Sequence, residues 1–516
     1  MVTDQPLDAR LTALCDAWVP AARDSAGRHE YDGVVQDLSP DGVRRTLAAL
    51  GRPAGTRPYA DPHDEAQATV AEEALRVRFG VLELHRSNPL WHIDNLDLSC
   101  YDREYAPEGE RDAARRAHLA RWPDAVDAAI AALDRVPAPL AGATLPLAIG
   151  LTEGLDTGTG APGAARRAHA RFVAHLRTAA EEGPPSAALG ATALARLLGS
   201  GEGVDVDLEE LSARVDAERD RLRALLEEST RRLDPTATTG TVLRRLRSDH
   251  PPADRVLPEV EALVDEALRW TEKHRLVPHH DVAVRVLPTP AAQRRALAAA
   301  SWATAYEPDS PGRFHLTLPR PDWPADRRSE WLADGFFRAG LAGLVVHEVA
   351  PGHLSHGRAL RRVSSDVRRT VISEAFLEGW AHYCEELALQ EGFRAEDPGF
   401  AVVVALDALR RVTRFACALG LHTGELTVRE AARRFTDDVG LSAEAACEEA
   451  RRGLFDPTYG RYTWGKLVIQ DLRAEARRQW GGGFSLPRFH AAVLALGSPP
   501  LGLLRTTLDR AGAAPV

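Results

Sequence analysis

Little in this 516-residue chain points to disulfides, membranes or nucleic acids. Its five cysteines, Cys15, Cys100, Cys384, Cys417 and Cys447, form no Cys-x-x-Cys or other tight pair. An odd, scattered set indicates reduced thiols in a cytoplasm rather than a disulfide framework. No basic segment followed by an apolar one opens the chain, so no secretory signal is expected. No run of about eighteen apolar residues occurs, so no membrane span is expected. A basic surplus is lacking too: the formal net charge of −10 argues against a general nucleic-acid binder, because neutralising phosphates needs a basic surface. Repeats of solenoid period are absent. The expectation is a soluble cytoplasmic protein with neither nucleic-acid nor membrane partners and an oligomeric state the sequence leaves open.

Hydrophobic residues make up 44% of the chain and charged residues 27%, the balance of an ordinary globular protein. A chain this long can bury a large core, and two lobes are expected, divided near residue 280. Apolar residues at three- and four-residue spacing, rich in Ala, Leu, Arg and Glu, predict helices over 208–233, 256–275, 401–419 and 428–435. Breaks fall at Pro137-Ala138-Pro139, Gly154 to Gly163, Gly183-Pro184-Pro185 and Gly481-Gly482-Gly483. Residues 154–163 read as a mobile loop or a plain surface connection. Arg244 to Arg247 and Arg361 to Arg369 read as solvated helix faces. Two segments alternate as strands, 281–287 and 313–318. An exposed strand edge can hold an extended peptide by main-chain hydrogen bonds, and 313–318 is the better candidate because it lies closer to the motif described next.

The chemistry concentrates in His347-Glu348-Val349-Ala350-Pro351-Gly352-His353, followed by Glu378 in Glu378-Gly379-Trp380-Ala381. Two imidazoles, a carboxylate beside the first and a later carboxylate are the inventory of a peptidase zinc site: two His ligands, one Glu ligand and a second Glu to activate water. The spacing is unusual. In His-Glu-x-x-His, four residues advance about 400° and return the side chain to the same helical face. Six residues advance roughly 600°, which points the second imidazole about a third of a turn too far. Pro351 cannot bond the carbonyl of His347 and crowds it, while Gly352 is free to adopt positive φ. A kink or bulge there is expected to swing His353 back. The plain alternative is a buried core helix over Leu341 to Val346 that ends in a satisfied histidine. Against it, burying two His and several Glu together is costly unless a cation or protons compensate.

Residues 373–386 read as a second helix. Glu374, Glu378 and His382 recur every four residues and share a face. Glu378 is the favoured third ligand, with Glu374 and His382 orienting the ligands or bonding substrate. The alternative, Glu374 as ligand with Glu378 in support, stays open. His356 is a further competitor for the metal, although nine residues from His347 is half a turn out of phase.

His-Glu-x-x-Pro-Gly-His followed by Glu-Gly-Trp-Ala-x-Tyr-x-Glu resembles the bacterial family catalogued as domain of unknown function 885. The likeness extends to Ser301-Trp302-Ala303-Thr304-Ala305-Tyr306-Glu307-Pro308, to Pro311-Gly312-Arg313-Phe314, and to Tyr462-Thr463-Trp464-Gly465-Lys466-Leu467 with Leu472-Arg473. It covers roughly residues 280–480. The resemblance implies a mainly α, two-lobed, zincin-like fold with a small sheet beside the active-site helix and a deep channel, reminiscent of carboxypeptidase Taq, neurolysin and angiotensin-converting enzyme. It implies one zinc ion held by His347, His353 and Glu378, with Glu348 as base, in a C-terminal catalytic lobe over 281–516 that follows a helical lobe over 1–280. His382 stands where that family is usually apolar, and residues 457–461 lack the usual Pro-Gly-Gln run.

The expected activity is zinc-dependent hydrolysis of short peptides, as a carboxypeptidase, dipeptidase or oligopeptidase. Tyr462 is the candidate donor to the developing oxyanion, and Arg461, Lys466 or Arg473 the candidate clamp for a substrate carboxylate. A metal site does not encode its leaving group, so a non-peptide amide is the rival substrate. A helical binding protein with a vestigial site is the rival without catalysis.

Overall fold

The computed structural model describes residues 6–152, 163–278, 283–289 and 297–511. Among them the chain is mainly α: twenty-three α-helices and one three-stranded sheet. The loop expected over 154–163 and the start of the strand expected over 281–287 lie almost wholly outside the described residues, 163 excepted at one end and 283–287 at the other. The helices follow the apolar spacing, as Leu208–Leu233, Val256–Lys273, Pro398–Thr423 and Val428–Val439. Pro398–Thr423 runs further than its pattern on both sides. Asp397 caps its N-terminus with Pro398 in the first turn, and Gly424, at φ 85°, ends it.

The largest hydrophobic core draws on both sides of residue 280, from Leu194 to Val277 and from Val286 to Leu508. A second core joins Ile93–Ala187 to Cys417–Leu454. Segments far apart in sequence therefore close around each other. One Arg-rich segment departs from the solvated-face reading for that reason. Arg368 is buried, donating to Asp64 at 2.6 Å and to the Ala495 carbonyl at 3.1 Å, with Asp61 as a further partner.

The sheet comprises β1 (Val284–Pro288), β2 (Ala298–Ser301) and β3 (Gly312–Leu316), in the order β1-β3-β2. β1 is parallel and β2 antiparallel to β3. This corrects the expectation that 313–318 offers a free edge: β3 is the central strand, with a neighbour on each side. The edge nearest the motif is β2, whose Ala-Ala-Ala-Ser composition carries no strand signal. Pairing with β3 imposes the strand.

Candidate metal centre

The motif helix, Arg338–Glu348, buries Leu341, Ala342, Val345 and Val346 and stops at Glu348. A second helix, His353–Leu360, starts five residues later. The break is therefore complete, and the backbone explains it. The amides of Val349 and Ala350 both bond the Val345 carbonyl, and the Gly352 amide bonds that of Val346 at 3.1 Å. Gly352 has φ −72°, so the expected positive φ is not what the site uses. Its need for glycine is steric: a Cβ would stand 1.9 Å from the His347 carbonyl oxygen. The third helix, Glu374–Gln390, is capped by Ser373, whose hydroxyl accepts from the Phe376 amide at 3.1 Å. Trp380 on that helix donates from its indole nitrogen to the Pro351 carbonyl at 3.0 Å, pinning the break against the helix that carries Glu378.

The result brings His347, His353 and Glu378 together, with one ligand atom from each within 4.8 Å of the others. Glu378 Oε2 lies 3.6 Å from His347 Nε2 and 3.4 Å from His353 Nε2. That oxygen is buried and accepts no hydrogen bond. Nitrogen and oxygen ligands of a tetrahedral ion held at about 2.0–2.2 Å stand roughly 3.3–3.5 Å apart, so the spacing and chemistry suit a divalent cation at the centre. The two imidazoles meet nearly edge to face, their centroids 4.7 Å apart.

Electrostatics point the same way. Burial opposes a charge on His347, yet the carboxylates of Glu378 and Glu385 facing its two ring nitrogens outweigh it and lift its pKa to about 9. Burial also disfavours the Glu378 carboxylate, but the flanking His353 and His347 hold it well below the usual carboxylate range. The site attracts positive charge.

Glu385 was missed as a functional residue, although it closes the Glu-Gly-Trp-Ala-x-Tyr-x-Glu pattern. It stands seven residues, two helical turns, beyond Glu378. Its Oε1 accepts from His347 Nδ1 at 2.6 Å, which leaves Nε2 as the lone-pair nitrogen facing Glu378. Its Oε2 accepts from Arg411 Nη1 at 2.9 Å and contacts His382 Nδ1 at 3.3 Å. His382 thus reaches the centre only through Glu385. Arg411, from the helix Pro398–Thr423, had no sequence signal at all.

The other predicted residues separate. Glu348 borders the site, its Oε2 accepting from the Ala300 amide of β2 at 2.9 Å. Glu374 is exposed and pairs with Arg461 at 3.2 Å, which removes it as a ligand. His356 is buried elsewhere, bonded to Ser498 Oγ and the Gly497 carbonyl, and does not compete for a metal. None of the three expected carboxylate clamps is free. Arg461 is forked onto Asp456, Lys466 is fully buried between Glu218 and Glu386, and Arg473 bonds Gln390 and the Tyr383 hydroxyl. Tyr462 does come near: burial and then the charge of Glu378 raise its pKa, so the phenol stays protonated. It is placed there by a close crossing of Glu374–Gln390 with Arg461–Trp480. A Cβ on Gly465 would stand 1.9 Å from the Ala375 carbonyl oxygen, and one on Gly379 would stand 2.5 Å from Gly465 Cα.

The family model for bacterial proteins of unknown function, DUF885, matches residues 20–508. The chain belongs to that family. The match takes in the N-terminal half as well, well beyond the 280–480 carried by the motifs. No curated protein matches the chain. Two solved structures share the DUF885 member's fold. One is a candidate lipoprotein of unknown function from Shewanella oneidensis, 18% identical, TM-score 0.77, covering 96% of this chain and 98% of that one. The other is a candidate lipoprotein from Colwellia psychrerythraea, 15% identical, TM-score 0.75, covering 98% of each chain. At these identities the likeness concerns fold alone. No helix among the described residues is long and apolar enough to cross a membrane.

Proposed function

We propose that this DUF885 member is a zinc-dependent hydrolase of short peptides, acting in the cytoplasm. The observation that carries the reading is the His347–His353–Glu378 triangle, with His347 oriented by Glu385 and a further carboxylate, Glu348, one residue from a ligand. Bound zinc would polarise the scissile carbonyl and make water a nucleophile near neutral pH.

The chain's own residues supply the rest. Glu348 accepts the proton of the attacking water and returns it to the leaving amine. Its only direct hydrogen-bond donor among the described residues is the Ala300 amide. That amide points away from β3, so β2 presents an edge along which an extended peptide can lie beside Glu348. The Tyr462 hydroxyl makes no hydrogen bond within the described protein, and donates to the oxyanion. Arg411 and Glu385 keep His347 in the tautomer that ligates.

The test is Glu348→Gln beside wild type, with zinc content measured on both and a panel of di- to hexapeptides as substrates. The expected outcome is equal zinc with cleavage reduced about 10²–10⁴-fold. Wild type that holds zinc but leaves every peptide intact would sink the peptidase reading in favour of a non-peptide amide. Wild type that takes up no zinc would sink the hydrolase reading altogether.

A further inference from the structure

One cavity begins a helical turn from the metal centre. It has a volume of about 240 Å³ and is walled by Glu374, Arg461, Glu202 and Arg78, with apolar faces from Trp18 and Phe415. Glu374 precedes Glu378 by four residues, about 6 Å of helix, and Arg461 directly precedes Tyr462. The space is below the roughly 300–1,000 Å³ of drug-sized ligand pockets and suits one end of a small molecule.

Three of the four charged groups on its wall are satisfied. Arg461 is held by Asp456 and Glu374. Glu202 accepts from the Ser373 hydroxyl and from the Leu501 amide, each at 2.9 Å, and burial pushes its pKa up to about 7. Arg78 is different. It makes no hydrogen bond or ion pair among the described residues, and its Nε is shut off from solvent without an acceptor. Glu374 and Glu202 act on it only through space. Its guanidinium lies 4.7 Å over the Trp91 ring, which fixes it without using its donors. It stands on the π-helical turn Arg76–Val81, a widened geometry that is frequent at functional sites.

A half-buried guanidinium whose Nε is shut off from water and has no anion beside it is costly, and stability alone would favour an apolar residue there. A binding role accounts for it, because a carboxylate supplies the two-pronged partner the fork lacks. We propose that Arg78 anchors a carboxylate of the substrate in this cavity, which makes the substrate class of the hydrolase proposed above short peptides with a free C-terminus. The inference rests on that reading for the word substrate and on Arg78 alone for the site. Arg461, Lys466 and Arg473 each already hold protein partners, so the clamp comes from the N-terminal half of the chain.

The test measures binding calorimetrically in the full-length protein carrying Glu348→Gln, so that affinity is read without turnover. The probes are N-acetyl-Ala-Ala-Leu as free acid, the same peptide as C-terminal amide, and N-acetyl-Ala-Glu-Leu amide, whose carboxylate is on a side chain. The free acid is expected to bind at least tenfold more tightly than its amide. Adding Arg78→Met should bring that ratio close to one while leaving the melting temperature equal or higher, which a purely structural arginine would not allow. Arg78→Lys should keep part of the preference. If the Glu-containing amide matches the free acid, the carboxylate is that of an acidic side chain and the C-terminal assignment falls. Equal binding of acid and amide, no binding of either, or a preference that survives Arg78→Met overturns the site. Peptide cleavage by wild type separates the two readings. A carboxylate preference without cleavage removes the hydrolase, and cleavage without the preference removes the anchor.

Discussion

His347 has Nδ1 bonded to Glu385 at 2.6 Å, while Nε2 faces Glu378 at 3.6 Å. A ligating imidazole held this way keeps its orientation and tautomer before any ion arrives, and losing such a partner typically weakens metal binding 10–100-fold. Glu385→Gln should therefore lower zinc affinity by about that factor, read by competition against a chelating dye. Unchanged affinity would mean that Glu385 only balances Arg411. Tyr462 is argued on different grounds, as a protonated phenol near Glu378 whose ring packs under Arg411, Arg414 and Arg461 while its hydroxyl has no hydrogen-bond partner among the described residues. Tyr462→Phe should lower kcat about 10²–10³-fold with KM and zinc content nearly unchanged, the split expected for a donor used only in the transition state. A rise in KM alone would make it a substrate-binding residue. His353 is less constrained, since its Nδ1 is buried without a partner. Its indole neighbour Trp302, 6.3 Å away between ring centroids and near parallel, supplies packing instead.

At the scale of elements, the site depends on two places where backbone meets backbone. One is the break between Glu348 and His353, where the Gly352 Cα faces the His347 carbonyl. The other is the crossing at Gly379 and Gly465. Gly→Ala within a helix ordinarily gains about 1 kcal/mol from propensity. Gly465→Ala should do the opposite. With a Cβ only 1.9 Å from the Ala375 oxygen, the helices must part, at a cost of about 1–3 kcal/mol. Because Glu378 and Tyr462 ride on those helices, activity should fall along with the melting temperature. A stabilised, active Gly465→Ala protein would show that the crossing is not needed. The break itself was legible from Pro351-Gly352, since an imide removes a helical hydrogen bond wherever it stands. The reason for glycine was not legible, because it depends on a carbonyl five residues back that only the folded path brings near. β2 was illegible for a related reason: alanines have no strand preference, and the pairing with β3 decides.

The whole molecule buries charge, and that sets its response to pH. His92, His356, His422 and His490 are buried, and desolvation lowers each from 6.5 to about 4. Their contribution to stability is complete above pH 6.5 and is lost as pH falls towards 4. Glu218 and Glu449 are lowered from 4.5 to about 2, since Arg221 and Lys466 for the first and Arg414 for the second outweigh burial. That contribution is complete above pH 4.5 and is lost on the way to 2. The melting temperature should therefore fall by several degrees below pH 6.5 and more steeply below 4.5, as followed by circular dichroism. A flat profile from pH 4 to 8 would contradict the burial of these groups. Lys466, one of only two lysines in the chain, bridges Glu218 and Glu386 with no exposure to solvent. Lys466→Met should cost about 3 kcal/mol by leaving buried carboxylates undercompensated, and should spare zinc binding. Zinc itself should raise the melting temperature in a concentration-dependent way, because an ion that binds only the folded triangle adds its binding energy to folding. A chelator should reverse the shift.

The sequence by itself determined what is local or repeats with a helical period. That includes the mainly helical class, the broken motif helix, and the pair of imidazoles with Glu378 on a following helix. Hydrogen bonding within a turn and the phase of side chains around it are decided by neighbours a few residues away. Tertiary structure alone decided which groups from distant segments meet. Arg411 and Glu385 behind His347, Ala300 beside Glu348, Tyr462 within the field of Glu378, and Arg78 in the adjoining cavity lie up to several hundred residues apart along the chain. Their approach follows from cores that mix both halves of the chain and from two glycines small enough to let helices touch, and neither leaves a periodic trace in the order of residues.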